Sequence, residues 1–529
     1  MEFDNEQYEK SAINKSKIQP IISDFGISKL YGYRDISFST HSSTTILIAK
    51  NGTGKTTLLG ALNALLNFEV FKFKDILFKS IYCTISGEKI QLSKEDISKY
   101  LKNKNSETAH SISLEWGIDI DELIEFCIQY PLISHISQDR HETLIQNEIY
   151  QGILRSSRHN KADSIKTIIK IKKELTKDNP VIAFYFSQVE KLLEKYEIVY
   201  LPTYRRIEVP LDDKQITSPY RSRRQPTLPI QQDSIFSGDI HFGLSDISDR
   251  LSRLSQEIII KCNNGYRDIS ANIINELIDG EYKTKANIES LPTMEELKLF
   301  FTRIKLSKSR FNPRSMGPYL ELNSPNLERL YPINNVPEES RVFLTYFLNQ
   351  LGLVIETIKA VENPISGFIE VCNKYLTKND FSAEHRSKEN KRKNSDKDSK
   401  KLVLNRENLS IKAYNTYTDK PIHLEYLSSG EKQMISIFSK LFLYPLNKIV
   451  LIDEPEISLS INWQSRILVD IVNSSLCSQL ISITHSPFVF ENVLEPFAKS
   501  LKVKVHLDEA SSDDTELGGL DWLDGGIDD

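Results

Sequence analysis

The residues best equipped for chemistry stand in four short runs. The first, Ala49-Lys50-Asn51-Gly52-Thr53-Gly54-Lys55-Thr56-Thr57, follows a strand pattern and opens a helical one. It fits the phosphate-binding spacing G-x-x-x-x-G-K-[ST], with alanine in place of the first glycine. Gly52 and Gly54 let the backbone curl so that N–H groups point at phosphate oxygens, and the helix N-terminus adds positive partial charge. Lys55 brings a point charge for β- and γ-phosphates, and the Thr56 hydroxyl can ligate Mg²⁺. Asn51, Thr53 and Thr57 complete the cradle. Ala49 adds only a methyl group, so binding is expected to survive it. The second run, Ile449-Val450-Leu451-Ile452-Asp453-Glu454-Pro455, delivers two carboxylates to the end of a buried strand. Asp453 is placed to hold the metal, and Glu454 to polarise an attacking water as general base. Leu427-Ser428-Ser429-Gly430-Glu431-Lys432-Gln433 precedes that strand, and Thr484-His485-Ser486 ends a later one, Leu480–Ile483.

The elements around these runs are legible from periodicity. Thr44–Ile48 reads as the buried strand before the loop, Lys55 to about Leu66 as a helix, and Ile198–Leu201 as a second strand. Residues 70–180 mix short strands and helices, including an acidic helical stretch at 119–129. Residues 207–240 are rich in Pro, Ser, Gln and Arg and read as a long loop. Leu244, Ile247, Leu251, Leu254 and Ile258 form one amphipathic face. Ile269, Ile273, Ile274, Leu277 and Ile278 form a partner face, which predicts a short helical arm rather than a long coiled coil. Pro337-Glu338-Glu339 starts a longer helix with Phe343, Phe347, Leu351, Val354, Ile358 and Val361 on one side. Residues 384–401 are lysine-rich and predict an exposed loop, with strand patterns resuming at 402–413. The stretch from Asp508 to Asp529 has nine acidic residues and no Lys or Arg.

Composition bounds the class. The chain has 529 residues, 40% apolar and 26% charged, with a formal net charge of −5. That balance excludes bulk attraction to nucleic acid, leaving only local basic patches. Five scattered cysteines suit a reduced, cytoplasmic setting, and the polar first residues do not resemble a secretory signal. No apolar run is long enough to span a bilayer, so no membrane segment is expected.

Each run alone has a structural explanation: a glycine turn, a capped strand, a core histidine. In series they are specific. The order of phosphate loop, LSSGE, IVLIDEPE and lone histidine resembles the ABC ATPase superfamily, whose signature motif LSSGE resembles. The resemblance implies an α/β fold: an ABC-type (SMC/OLD-like) ATPase head assembled from N- and C-terminal segments, with a mostly helical insertion between them. The corresponding boundaries are 1–205 for the N-terminal part, 206–400 for the insertion, 401–507 for the C-terminal part and 508–529 for an acidic tail. It also implies that Ser428, Ser429 and Gly430 face the γ-phosphate bound by a second copy, that His485 is the switch histidine, and that Ile457-Ser458-Leu459-Ser460 crosses the dimer seam. ATP, Mg²⁺ and a homodimer or higher homo-oligomer follow. The superfamily's Q-loop residue has two candidates, Gln138 and the run Thr203-Tyr204-Arg205-Arg206, and the sequence does not choose between them.

Spacing narrows the family. Lys55 and Ser428 stand 373 positions apart, unlike a transporter cassette, and the long coiled coils of SMC-type ATPases are missing. Only 44 residues follow His485, too few for the Toprim nuclease domain of OLD-family proteins. Tyr200-Leu201-Pro202-Thr203-Tyr204-Arg205-Arg206-Ile207-Glu208 and Phe242-Gly243-Leu244-Ser245-Asp246-Ile247 resemble PtuA, the ATPase subunit of Septu antiphage systems, also found with some retrons. That resemblance implies a PtuB-like HNH nuclease as partner and, in a retron-linked version, a reverse transcriptase with its RNA–DNA product. Arg205, Arg206, Arg221, Arg223 and Arg224 could grip a DNA backbone or bridge domains, and both readings stay open. Lys388, Lys391, Arg392, Lys393, Lys400 and Lys401 read as a solvated loop. Leu520, Trp522 and Leu523 could dock on a partner or stay solvated with the rest of the tail. Two further functions remain alongside: an ATP-clamped scaffold with incidental turnover, and a RecF-like repair ATPase that binds DNA directly.

Overall fold

A computed structural model describes residues 2–50, 52–130, 147–157, 160–202, 244–280, 291–311, 336–377, 399–407, 410–457 and 459–506. The fold is mixed α/β. Its strands are β1 (Ile22–Leu30), β2 (Arg34–Ser39), β3 (Thr44–Ile48), β4 (Ser80–Ile85), β5 (Glu88–Ser93), β6 (Tyr196–Leu201), β7 (Lys400–Asn405), β8 (Ser410–Asn415), β9 (Pro421–Ile422), β10 (Asn447–Asp453), β11 (Cys477–Thr484), β12 (Ala498–Ser500) and β13 (Lys502–Val505). The central sheet is parallel, in the order β12-β3-β11-β10-β6. An antiparallel sheet, β13-β2-β1-β4-β5, and a small third sheet, β7-β8-β9, accompany it.

Why the central strands carry unbroken apolar runs is answered by what covers them. A parallel sheet is buried on both faces, so neither face can be polar. Ile449, Leu451, Ile481, Ile483 and Leu47 pack into one core with Leu58, Leu62 and Leu65 of the helix Lys55–Leu66 and with Phe25, Ile27 and Phe38 of the antiparallel sheet. Val450, Ile452, Leu480 and Ile46 point the other way. They meet Met434, Ile435 and Phe438 of the helix Ser429–Phe442, Ile467 and Leu468 of the helix Ile461–Asn473, and the helices of 244–376. The helices Lys55–Leu66 and Ser429–Phe442 therefore cover opposite faces of one sheet.

Strand order sets the site. Ile48 at the end of β3 is level with Thr484 on β11, and Ile483 is level with Asp453 on β10. Three loops thus leave one edge of the sheet side by side, at the carboxyl ends of its strands, where open α/β sheets bind ligands. Gln479, buried on β11, fastens the two large sheets together. Its side-chain oxygen accepts from the Ile21 and Ile22 amides at 3.0 and 2.8 Å, and its NH₂ donates to the Ile22 carbonyl at 2.7 Å.

Two sequence expectations are corrected. The faces expected to pair as a short two-helix arm belong to one continuous 36-residue helix, Leu244–Asp279. It packs instead on the 39-residue helix Glu338–Leu376, which does follow the Pro337 start signal. Ile278 is 78% exposed, because no neighbour covers the far end of that face among the described residues. Lys400 and Lys401 belong to strand β7, not to a solvated loop. Gln138, residues 203–243, Lys388–Lys393, Ser458 and the tail from 507 lie outside the described residues.

Replacing Gln479 with Leu keeps the volume but strands two amides and a carbonyl. Each orphaned buried group costs about 1–3 kcal/mol, so a loss of about 3 kcal/mol is expected from denaturant unfolding.

Candidate nucleotide site

The loop between β3 and the helix Lys55–Leu66 is held in a shape only glycine adopts readily. Gly52 and Gly54 have φ of 79° and 94°. A Cβ on Gly54 would lie 2.7 Å from Ile36 Cδ1, so the β2 strand closes the loop's underside. Gly54 caps the helix without a side chain, and no acid stands in the first turn. The helix N-terminus is thus left for an external anion. Thr53 Oγ1 donates to the Lys50 carbonyl at 2.8 Å, tightening the turn. Asn51 lies outside the described residues.

The two carboxylates expected at the strand end meet this loop. Lys55 Nζ, on a side chain only 6% exposed, sits 2.7 Å from Glu454 Oε1. Thr56 Oγ1 donates to Asp453 Oδ2 at 2.6 Å. Asp453 is 2% exposed and Glu454 carries φ of 51°, a left-handed conformation rare outside glycine. The Ile483 carbonyl accepts the Glu454 amide at 2.9 Å and fixes that turn. A hydroxyl and a carboxylate side by side are hard oxygen donors. They suit Mg²⁺, which takes one or two protein ligands and fills its shell with phosphate oxygens and water.

His485 stands between two acids, Nδ1 3.0 Å from Glu456 Oε1 and 3.6 Å from Glu454 Oε1. Glu456 is 7% exposed, and the sequence reading gave it no role. It accepts from Thr484 Oγ1 at 2.9 Å and from the His485 amide at 3.1 Å. It therefore orients both ends of the Thr484–His485 turn, and leaves Nε2 as the ring nitrogen turned from this carboxylate. The sequence signal was the third acid in Asp453-Glu454-Pro455-Glu456. Its partner on β11 could not be read without the strand order.

Ser428 caps the helix Ser429–Phe442 in a reciprocal box with Glu431: the Glu431 amide donates to Ser428 Oγ, and the Ser428 amide to Glu431 Oε2. Lys400 Nζ grips the same carboxylate at 2.7 and 2.9 Å. Burial would raise the Glu431 carboxyl, but the Lys400 ammonium and the Ser428 amide together hold it below the ordinary range. The acid of LSSGE is thus spent on holding its own helix start and on β7. Ser428 and Ser429 are exposed and Gly430 is buried.

The hairpin turn between β1 and β2 also reaches the loop, which sequence reasoning missed. Arg34 Nη1 donates to the Gly52 carbonyl at 2.9 Å, with its guanidinium 5.2 and 5.3 Å from the Tyr31 and Tyr33 ring centres. Tyr31 and Thr57 hydroxyls lie 3.2 Å apart. Tyr31 and Tyr33 are 45% and 44% exposed, and their rings offer surface on which a base can stack. Tyr-Gly-Tyr-Arg between two strand patterns signals a hairpin, but not where the hairpin lands.

Two substitutions test this geometry. Gly54→Ala meets both a strained φ and the Ile36 contact, so ATP affinity is expected to fall at least about tenfold by calorimetry. Glu456→Gln removes a charged hydrogen-bond acceptor from the His485 turn, so turnover is expected to fall about 10–100-fold in a phosphate-release assay.

No helix among the described residues is long and apolar enough to cross a membrane. No curated protein matches the chain. Residues 22–490 match the AAA_15 family, described as an AAA ATPase domain, and that span contains the phosphate loop, LSSGE, the carboxylate strand and His485. The chain belongs to the AAA_15 family of ATPases.

Proposed function

We propose that this chain is the ATP-hydrolysing switch of an antiviral defence complex, with two composite ATP sites formed when two copies meet head to tail. Lys55 and the loop 49–57 bind the phosphates. Thr56 and Asp453 would hold Mg²⁺, which when bound would neutralise phosphate charge. A triphosphate competes with Glu454 for the Lys55 ammonium, and so releases the carboxylate that stands 2.7 Å away. Glu454 then takes a proton from water as the water oxygen bonds to the γ-phosphorus and the bond to the ADP oxygen breaks. His485, oriented by Glu456, contacts the γ-phosphate. Tyr31 and Tyr33 offer their faces to the base.

The observation that supports the composite site is the placement of the Ser429–Phe442 and Lys55–Leu66 helices on opposite faces of the central sheet. The exposed Ser428–Ser429 turn is thereby available to another copy's triphosphate. ATP clamps the two copies, and hydrolysis loosens them and changes the activity of a bound HNH nuclease of the PtuB kind. The nuclease partner, and a reverse transcriptase with its RNA–DNA product in a retron-linked version, rest on the resemblance to PtuA.

Glu454→Gln with ATP is expected to run as a dimer by light scattering and to hold unhydrolysed nucleotide. Adding Ser428→Arg should return it to the monomer, and Lys55→Ala should bind no ATP. A Glu454→Gln protein that stays monomeric with bound ATP sinks the composite site. Full biological protection by Glu454→Gln favours the ATP-clamped scaffold. The defence reading fails if no HNH nuclease is encoded beside this chain or co-purifies with it. Salt-dependent duplex binding by the isolated chain would favour the repair ATPase instead.

A further inference from the structure

Asp35 lies outside every motif, yet three donors converge on it. The Lys29 amide reaches Oδ1 at 2.7 Å, the Ser28 hydroxyl reaches it at 3.2 Å, and His506 Nε2 lies 2.8 Å from Oδ2. The Lys29 amide chiefly, aided by His506, holds the Asp35 carboxyl below the ordinary range against partial desolvation. It is an acceptor at neutral pH.

What Asp35 holds is a strained turn. Lys29 and Tyr31 have φ of 49° and 53°, left-handed values at two non-glycine residues on either side of Leu30. Such conformations cost free energy and persist only where neighbours enforce them. Here the Tyr31 amide donates to the Leu77 carbonyl at 2.7 Å, and Asp35 anchors the Lys29 amide. The same turn presents Tyr31 to Thr57 and Arg34 to the Gly52 carbonyl.

The anchor is itself clamped from the far end of the described chain. Strand β13 pairs antiparallel with β2, placing Lys504 opposite Asp35 and Val505 opposite Arg34. The His506 amide then donates to the Tyr33 carbonyl at 2.6 Å. So one residue, His506, ties its backbone to the turn and its ring to the turn's anchor. Residues 502–505 are exposed along their length, so apolar burial contributes little to their hold. Hydrogen bonds set the register.

We infer that Asp35 and His506 are positioning residues for nucleotide binding: through the Lys29–Arg34 turn they hold Arg34 and Tyr31 on the phosphate loop. This rests on the reading of residues 49–57 as the nucleotide site. The role is in affinity, because the hydrogen bonds of both side chains go to the turn and to each other.

The test is ATP binding by calorimetry and steady-state hydrolysis, with the full chain. Asp35→Ala is expected to weaken ATP binding about tenfold, the loss of a charged hydrogen bond. The effect should appear in KM, with kcat within about a factor of two. His506→Ala should weaken binding about threefold, and His506→Gln, which keeps a donor, should restore most of it. Asp35→Ala added to Arg34→Ala should cost clearly less than Asp35→Ala alone, because part of its effect passes through the Arg34–Gly52 contact. Wild-type affinity in cooperatively folding Asp35→Ala and His506→Ala, or fully additive losses in the double variant, overturns the inference. If Asp35→Ala does not fold, the His506→Ala and His506→Gln pair decides alone. Should Lys55→Ala bind ATP as well as wild type, the nucleotide-site reading itself fails. If Lys55→Ala loses ATP while the Asp35 and His506 variants do not, only the positioning role falls.

Discussion

Two contacts hold the ends of this protein together at its working edge. The pairs Lys55–Glu454 and Thr56–Asp453 join residues 399 and 397 positions apart. They exist because β11 lies between β3 and β10, with the three strand ends level. A parallel sheet needs a crossover for every adjacent pair, so its carboxyl edge gathers loops from distant parts of a chain. Shift β10 by one residue, and the carboxylates turn to the other face while the apolar run turns with them. The same register that fills both cores therefore aims the chemistry.

Preorganisation is visible in the backbone. Glu454 on the carboxylate side, and Gly52 and Gly54 on the phosphate side, take left-handed conformations. Strain at a ligand edge is tolerated where the surrounding fold over-determines it. Here the Ile483 carbonyl fixes the turn at Glu454, and Ile36 and Arg34 press on the loop from below. Lys55 and Glu454 satisfy each other's charge at a site where an unpaired charge would be costly. On the proposed reading, an incoming phosphate meets groups already in place and has only to exchange partners.

The helix Ser429–Phe442 is built differently. Its start is locked by a capping box, and Lys400 adds a third hold on Glu431, yet Ser428 and Ser429 stay exposed. A rigid, solvent-facing helix start loses little entropy on meeting an anion. The helices Lys55–Leu66 and Ser429–Phe442 thus present two differently built starts on opposite faces of one sheet.

The sequence alone determined a good part of this. The strand Thr44–Ile48, the helix Lys55–Leu66 and the residues of the loop between them were legible, because glycine spacing and apolar runs are local signals. Asp453 and Glu454 were legible for the same reason. Only the tertiary structure decided that Glu456 orients His485, that Glu431 is taken by Ser428 and Lys400, and that Tyr31, Arg34, Asp35 and His506 belong beside the loop. It also joined two expected helical faces into the single helix Leu244–Asp279. The physical reason is the same in each case. Periodicity reports which side of an element is buried, whereas strand order and register determine which distant side chain stands opposite, and neither is written in local spacing.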